Sequence, residues 1–242
     1  MAFHCLAIVI GQPAPTDKPH VRISERVVAP AELAALKVID LITSSHNHTD
    51  HFDPETLLPL LTGNPQARLA LPAANREVAL QRAGAQVAER LMEMNDGVLA
   101  RAGSIELHGV TAAHPSVERD EQGRCRFLGY VLRWGAVTIY HSGDTMWHAG
   151  LEAALGKFTI DVALLPINGD RPERRVAGNL NGREAAQLAK AIGARCVVPC
   201  HFDMFEFNTA DPAEFVEECR RLGQPYEVVP LGGRVSNFRV SS

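Results

Sequence analysis

The sequence predicts an α/β layered fold, and three observations carry that prediction. Short apolar runs alternate with capped helical stretches from residue 37 onward, as expected when helices cover the faces of a sheet. Gly, Pro, Asn and Asp punctuate almost every transition. Finally, 46% of the 242 residues are hydrophobic, enough for a sizeable core, and no repeat, low-complexity tract or linker divides the chain. Length alone would also accommodate two small domains, but the unbroken alternation favours one domain over residues 1–242.

Residues 38–43 read as a short apolar strand. Asp53-Pro54 follows as an N-cap and first helical position, opening a helix through Leu61 that Gly63 stops. Residues 68–71 read as a strand and 73–83 as a helix closed by Gly84. The middle is rich in strands, at 98–100, 105–113, 126–134 and 137–140, with a polar loop at 115–123. A helix is expected at 147–155 and a buried strand at 161–167. The loop NGDRPERRVAGN comes next, and Asn181 caps a helix with Glu184 as its capping-box partner. Residues 195–199 give another strand. Asp211-Pro212 with Glu214 repeats the cap chemistry ahead of a helix through Leu222, and strand-like pieces at 226–229 and 234–240 follow.

Composition excludes several function classes. Lys and Arg number 24 against 28 Asp and Glu, a formal charge of -4 that argues against broad nucleic-acid binding. No apolar run approaches the roughly 18 residues of a membrane span. The opening MAFHCLAIVI has no basic lead or clear cleavage site, so it does not read as a secretory signal. Five scattered cysteines (Cys5, Cys125, Cys196, Cys200 and Cys219) read as reduced thiols of a cytoplasmic protein. Cys196 and Cys200 lack the second pair that a zinc site of that type needs. The expected partner is a small-molecule substrate, with homo-oligomer formation left open.

Chemistry-bearing residues gather where the strands end. SHNHTDHFD, directly after the first strand, holds three of the ten histidines within six positions. His114 in TAAHPS, Asp144 in YHSGDT and His201 in VVPCHFDMF end three later strands. Imidazole nitrogen with carboxylate oxygen is the donor set of zinc and similar divalent ions. His46 and His48, two apart in extended chain, point the same way and can grip one ion with His114. Asp50 and His51 fall past the turn and can hold a second ion with His201, and Asp144 has two oxygens to bridge the pair. Two such ions, about 3.5–4 Å apart, activate a bridging hydroxide near neutral pH. His4, His20, His108 and His148 have no motif support, His141 reads as structural support, and Asp203 either orients His201 or bonds within its loop.

HNHTDH matches an H-x-H-x-D-H signature, and with His114, Asp144 and His201 following in order the chain resembles the metallo-β-lactamase superfamily. The resemblance covers roughly residues 20–240. It implies a four-layer αββα sandwich, two sheets between helical layers. Asp144 stands where zinc β-lactamases have cysteine, which disfavours antibiotic hydrolysis. YHSGDT, IDVALLPIN and VVPCHFDMFEFNTADP are similar to the lactonase-like branch that contains L-ascorbate-6-phosphate lactonase. That branch implies a binuclear hydrolase of a lactone or ester on a small, phosphorylated metabolite, using Zn2+ first and Mn2+ as the alternative. Asp144 and Asp50 are then the catalytic carboxylates, with Asp50 or a metal-bound water returning a proton to the leaving group. Asn168, Arg171, Arg174 and Arg175 are the candidate substrate contacts.

Two other readings are carried. One is a phosphodiesterase of the same fold, acting on a lipid headgroup or nucleotide. The other is a non-catalytic metal-binding or sensing protein on this scaffold. Family members also begin with strands bearing a WLGHAG-like turn and an Asp-Pro, whereas GQPAPTDKPHVRIS here is rich in proline. A shortened first sheet is therefore expected.

Overall fold

The computed structural model describes Ser24, residues 30–230 and Gly232–Gly233. The Pro-rich opening and the strand-like piece at 234–240 lie outside the described residues. Within them the elements run α1 (Pro30–Ala35), β1 (Leu41–Thr43), α2 (Pro54–Gly63), β2 (Arg68–Pro72), α3 (Arg76–Ala83) and β3 (Leu91–Met94). Then come β4 (Leu99–Ala102), β5 (Ile105–Thr111), β6 (Leu128–Trp134), β7 (Val137–His141), α4 (Leu151–Leu155), β8 (Val162–Pro166), α5 (Gly182–Ala191), β9 (Cys196–Cys200) and α6 (Ala213–Leu222). No helix of the described residues is long and apolar enough to cross a membrane.

The strands form two sheets. β1-β2-β3 is parallel throughout. The second sheet runs β4-β5-β6-β7-β8-β9, antiparallel from β4 to β7 and parallel from β7 to β9. Period-two alternation divides each strand between two cores. Leu69 and Leu71 of β2 face Leu57, Leu60 and Leu61 of α2, while Ala70 between them joins Met94, Leu107, Leu128 and Tyr130 between the sheets. Val131 of β6 and Ala163 and Leu165 of β8 point the other way, onto Leu151, Leu155, Leu188 and Phe215 of the second helical layer. The order is therefore helices, sheet, sheet, helices: the expected αββα sandwich. Tyr130, fully buried between the sheets, donates its hydroxyl to Ser44 O at 2.9 Å, tying the second sheet to the chain just past β1.

Local chemistry explains several boundaries. Asp53 caps α2 as expected, its carboxylate accepting from Glu55 N at 3.1 Å and Thr56 Oγ1 at 2.7 Å. Asn181 and Glu184 complete the capping box of α5. Gly84, at φ 88°, closes α3.

Other expectations need correction. Gly63 is the last residue of α2 rather than its stop; a Cβ there would lie 2.5 Å from Ala34 O, so its bareness lets α1 approach α2. Asn64 ends the helix, donating to Leu60 O and Leu36 O and accepting from Ile39 N. The first strand is only Leu41–Thr43, because Ile39 N is held by that asparagine instead of by a neighbouring strand and β2 itself begins at Arg68, whose N–H donates to Asp40 O at 2.9 Å. The helix expected from Trp147 starts at Leu151, after the left-handed Gly150. The capping box before α6 does not form: Asp211 accepts from Ala213 N at 2.8 Å, but Glu214 faces Arg183 at 3.5 Å. Residues 226–229 make one bridge, Tyr226 to Val197, rather than a strand. Helix α1 and strand β3 are elements the sequence patterns did not reveal.

Candidate metal centre

Four strand ends converge, and the backbone is fixed before each delivers a side chain. Past β1, Ser44 N donates to Ala70 O at 2.9 Å, and Ser44 Oγ donates to His46 O at 2.8 Å. Leu128 N donates to Ser45 O at 3.0 Å, so the chain leaving the first sheet is held by the second. The HNHTDH segment then turns back on itself, with His51 N and Phe52 N both donating to His48 O. Arg82 of α3 donates to Asn47 O and clamps the turn from outside. His114 follows β5, Asp144 follows β7 and His201 follows β9. Ala113 N donates to Thr145 Oγ1 at 3.1 Å and Met146 N to Ala113 O at 2.7 Å, locking the second and third of these ends together.

All seven side chains predicted to bind metal meet. His46, His48 and His114 form one group with donor atoms within 4.8 Å of one another, Asp50, His51 and His201 another, and His46, His51 and Asp144 a third. Asp144 stands between: one oxygen lies 3.2 Å from His51 Nε2, the other 3.5 Å from His114 Nε2 and 3.3 Å from His201 Nε2. Asp50 Oδ2 is 3.5 Å from His51 Nε2 and 3.6 Å from His201 Nε2. His141 belongs to none of the three groups. Phe127, 7% exposed, lies against the rings of His46, His48 and His114 at centroid distances of 5.3, 6.0 and 5.5 Å. It walls one side of the site, and His48, the exposed member, marks the open side.

The residues fit divalent ions. Nε2 of His46, His51 and His201 is buried without a hydrogen-bond partner, a costly arrangement unless something accepts its lone pair. The five histidines and two carboxylates of the cluster are a nitrogen and oxygen set suited to zinc or manganese.

Electrostatics separates the imidazoles. Burial, reinforced by His51, keeps His46 well below its usual range; burial and then His114 do the same to His48. Burial also works against charge on His51 and His201, but Asp144 and Asp50 together outweigh it and raise both. Burial opposes ionisation of Asp50 and Asp144 as well; His51 and His201 together override it at each and hold both carboxyls below the usual range. Burial and then His51 push His141 down to about 4, consistent with a neutral supporting role. His201 and Asp203 hold left-handed backbone, at φ 61° and 57°. Asp203 joins its loop through its backbone N–H, which donates to Thr209 Oγ1 at 2.8 Å.

Asn168, buried after β8, donates to Asn208 Oδ1 at 2.9 Å and accepts from Asn179 Nδ2 at 3.0 Å. Arg174 donates to Asn168 O and Thr209 O, tying the 170–178 loop to the segment after His201. Arg171 and Arg175 are exposed on the same loop. The loop reaches the metal cluster at its far end, where Gly178 O lies 2.8 Å from His114 Nδ1. Ser45 and Gly178, both in contact with the cluster, were not found from the sequence. Ser45 carried one signal, its place immediately before HNHTDH; Gly178 contacts His114 through a carbonyl that any residue possesses. The described cysteines are free thiols, Cys125 and Cys219 buried and Cys196 and Cys200 half-buried.

A family model described as a beta-lactamase superfamily domain matches residues 14–202. A UPF0173 metal-dependent hydrolase of Rubrobacter xylanophilus is 32% identical over 213 residues, covering 85% of this chain and 81% of the relative. Among solved structures, a metallo hydrolase of Ignicoccus hospitalis superposes with a TM-score of 0.60 at 23% identity, over 78% of this chain and 76% of the other. An isothiocyanate hydrolase from Delia radicum gut bacteria gives 0.70 at 15% identity, over 97% and 91%. These two structural matches speak to the fold.

Proposed function

The chain belongs to the beta-lactamase superfamily and is one of its metal-dependent hydrolases; on that premise we propose that it acts through two divalent ions, zinc or manganese, on a lactone or ester of a small phosphorylated metabolite. One observation carries the two-ion reading: two donor groups flank Asp144, and the buried Nε2 atoms of His46, His51 and His201 make no hydrogen bond. His46, His48 and His114 would hold one ion, Asp50, His51 and His201 the other, with Asp144 shared. When bound, such ions polarise a carbonyl and lower the pKa of water to about 7. Asp144, 6% exposed, keeps its charge inside the cluster. Asp50, 21% exposed and held as a carboxylate, is open enough to take a proton and return it to the leaving group. Phe127 excludes water behind the first group. Asn168 and the 170–178 loop, with Arg171, Arg174 and Arg175, form the substrate side, where cationic side chains would meet a phosphate. The scattered cysteines, read as reduced thiols, support a cytoplasmic location.

The lactone preference follows the likeness of YHSGDT and VVPCHFDMFEFNTADP to the lactonase-like branch. The test is metal analysis of protein purified without chelator, followed by a panel of lactones, bis-(p-nitrophenyl) phosphate and an isothiocyanate. The isothiocyanate is included because one structural neighbour bears that activity in its name. Two ions per chain and turnover of lactones at least tenfold above the diester are expected. Diester turnover alone would make the protein a phosphodiesterase instead, and two bound ions with no turnover would favour a sensing role.

A further inference from the structure

The hydroxyl of Ser45 touches two of the proposed ligands at once. Ser45 Oγ lies 3.0 Å from His46 Nδ1 and 3.2 Å from His51 Nδ1, and the residue is 5% exposed. These imidazoles meet in one donor group with Asp144, and each also belongs to a second, His46 with His48 and His114 and His51 with Asp50 and His201. We infer that Ser45 is a positioning residue common to both metal sites, its oxygen accepting from Nδ1–H of His46 and of His51 and so turning both Nε2 lone pairs toward the ions. This inference rests on the two-ion reading above.

Three observations support it. Hydroxyl oxygen has two lone pairs but a single proton, so Ser45 can accept from both rings whereas it can donate to only one. His46 Nε2 is buried without a hydrogen-bond partner, which suits a bare lone pair aimed at a cation, and His51 Nε2 faces the carboxylates of Asp144 at 3.2 Å and Asp50 at 3.5 Å, as expected of a ring and two carboxylates that share an ion. His114 shows the same arrangement with a partner that admits no ambiguity. Its Nδ1 faces Gly178 O at 2.8 Å, and a carbonyl can only accept, so His114 carries its proton on Nδ1 and presents Nε2. The oxygen is held in place from two sides. Leu128 N donates to Ser45 O, and Gly143, at φ 60°, packs so closely that a Cβ there would lie 2.4 Å from Ser45 Cβ and 2.8 Å from its Oγ. Gly143 thus serves a turn and leaves room for the serine in the same stroke.

The experiment combines zinc titration by calorimetry with imidazole 15N and 1H NMR of the zinc-loaded chain, on wild type, Ser45→Ala and Ser45→Thr. Wild type should take two zinc ions, with His46, His51 and His114 coordinating through Nε2 and carrying slowly exchanging Nδ1 protons. In Ser45→Ala the Nδ1 protons of His46 and His51 should exchange at least about tenfold faster while that of His114 is unchanged. Zinc affinity at both sites should fall about 10–100-fold, and Ser45→Thr should restore both readouts. Wild type binding fewer than two ions would overturn the two-ion reading itself. Two ions in Ser45→Ala at wild-type affinity, or a loss confined to one site, would overturn the role assigned to Ser45. Should Ser45→Ala fail to fold, wild type still decides: coordination of either histidine through Nδ1 would refute the inference.

Discussion

Two buried charged clusters in this molecule make a useful pair. Between α5 and α6, Glu218 is 2% exposed and accepts from Arg221 Nε and Nη2 and from Gln187 Nε2, each at 2.7 Å, with Arg183 a further 3.7 Å away. The chain answers that carboxylate completely. At the strand ends, six buried or half-buried members of a seven-residue His and Asp cluster crowd together, yet three imidazole nitrogens make no hydrogen bond. Burial of charge is common to both. What singles out the second is the concentration of imidazole and carboxylate donors whose hydrogen bonding is incomplete, the arrangement a bound cation would complete.

The comparison can be broken at either cluster. The largest effect is expected from Asp144→Ala and His46→Ala, which should abolish binding of at least one ion and lower kcat/KM on the order of 10^3-fold, as read by metal analysis and steady-state kinetics. Retention of wild-type turnover by purified Asp144→Ala would put the chemistry elsewhere. Next, zinc at 100 times its Kd should stabilise the metal-free protein by about 2.7 kcal/mol, visible as a rise of roughly 5–10 °C in a thermal scan. Magnesium, a poor match for imidazole, should give little. Arg171→Ala should raise KM for a phosphorylated substrate about tenfold with kcat and metal content unchanged, and do nothing to an uncharged lactone.

The smallest effect belongs to the satisfied cluster. Glu218→Gln should lower the melting temperature by a few degrees at neutral pH and leave both ions bound. Its pH dependence has a definite sign. Hydrogen bonds from Arg221 and Gln187 hold the Glu218 carboxyl down to about 2, so its contribution is present above the unfolded pKa near 4.5 and is lost as pH falls from there toward 2. Denaturation measured across that window should be steeper for wild type than for Glu218→Gln. Equal slopes would remove Glu218 from the account of acid stability.

The clustered histidines and aspartates were legible because they obey a local rule: an apolar strand, then polar residues at its end. That rule needs no knowledge of which strands are neighbours. The helix caps at Asp53 and Asn181 were legible for the same reason, their partners lying three or fewer residues away. What stayed hidden depends on contacts between distant parts of the chain. Ser45 acquires meaning only beside His51 and Gly143, and Gly63 only beside Ala34. Strand β3, with the exposed Glu93 between Met92 and Met94, is too short for its alternation to stand out from noise; its pairing with β2 defines it. Arg174 read as a cation on a loop, and nothing near it in sequence announces that it reaches Thr209, 35 positions on.

The left-handed backbone of His201 has a consequence for the descent of proteins like this one. A side chain in that region costs on the order of 1 kcal/mol or more, and glycine carries no such cost. Replacing His201 by glycine would therefore relax the chain in the same change that strips one ligand from the cluster. Selection for catalysis and selection for stability pull in opposite directions at this one position. Once turnover ceases to matter, the easiest drift is toward a calmer fold with a broken centre. Glycine or asparagine aligned with His201 would then be the mark of a relative that has left enzymatic life, even with HNHTDH intact.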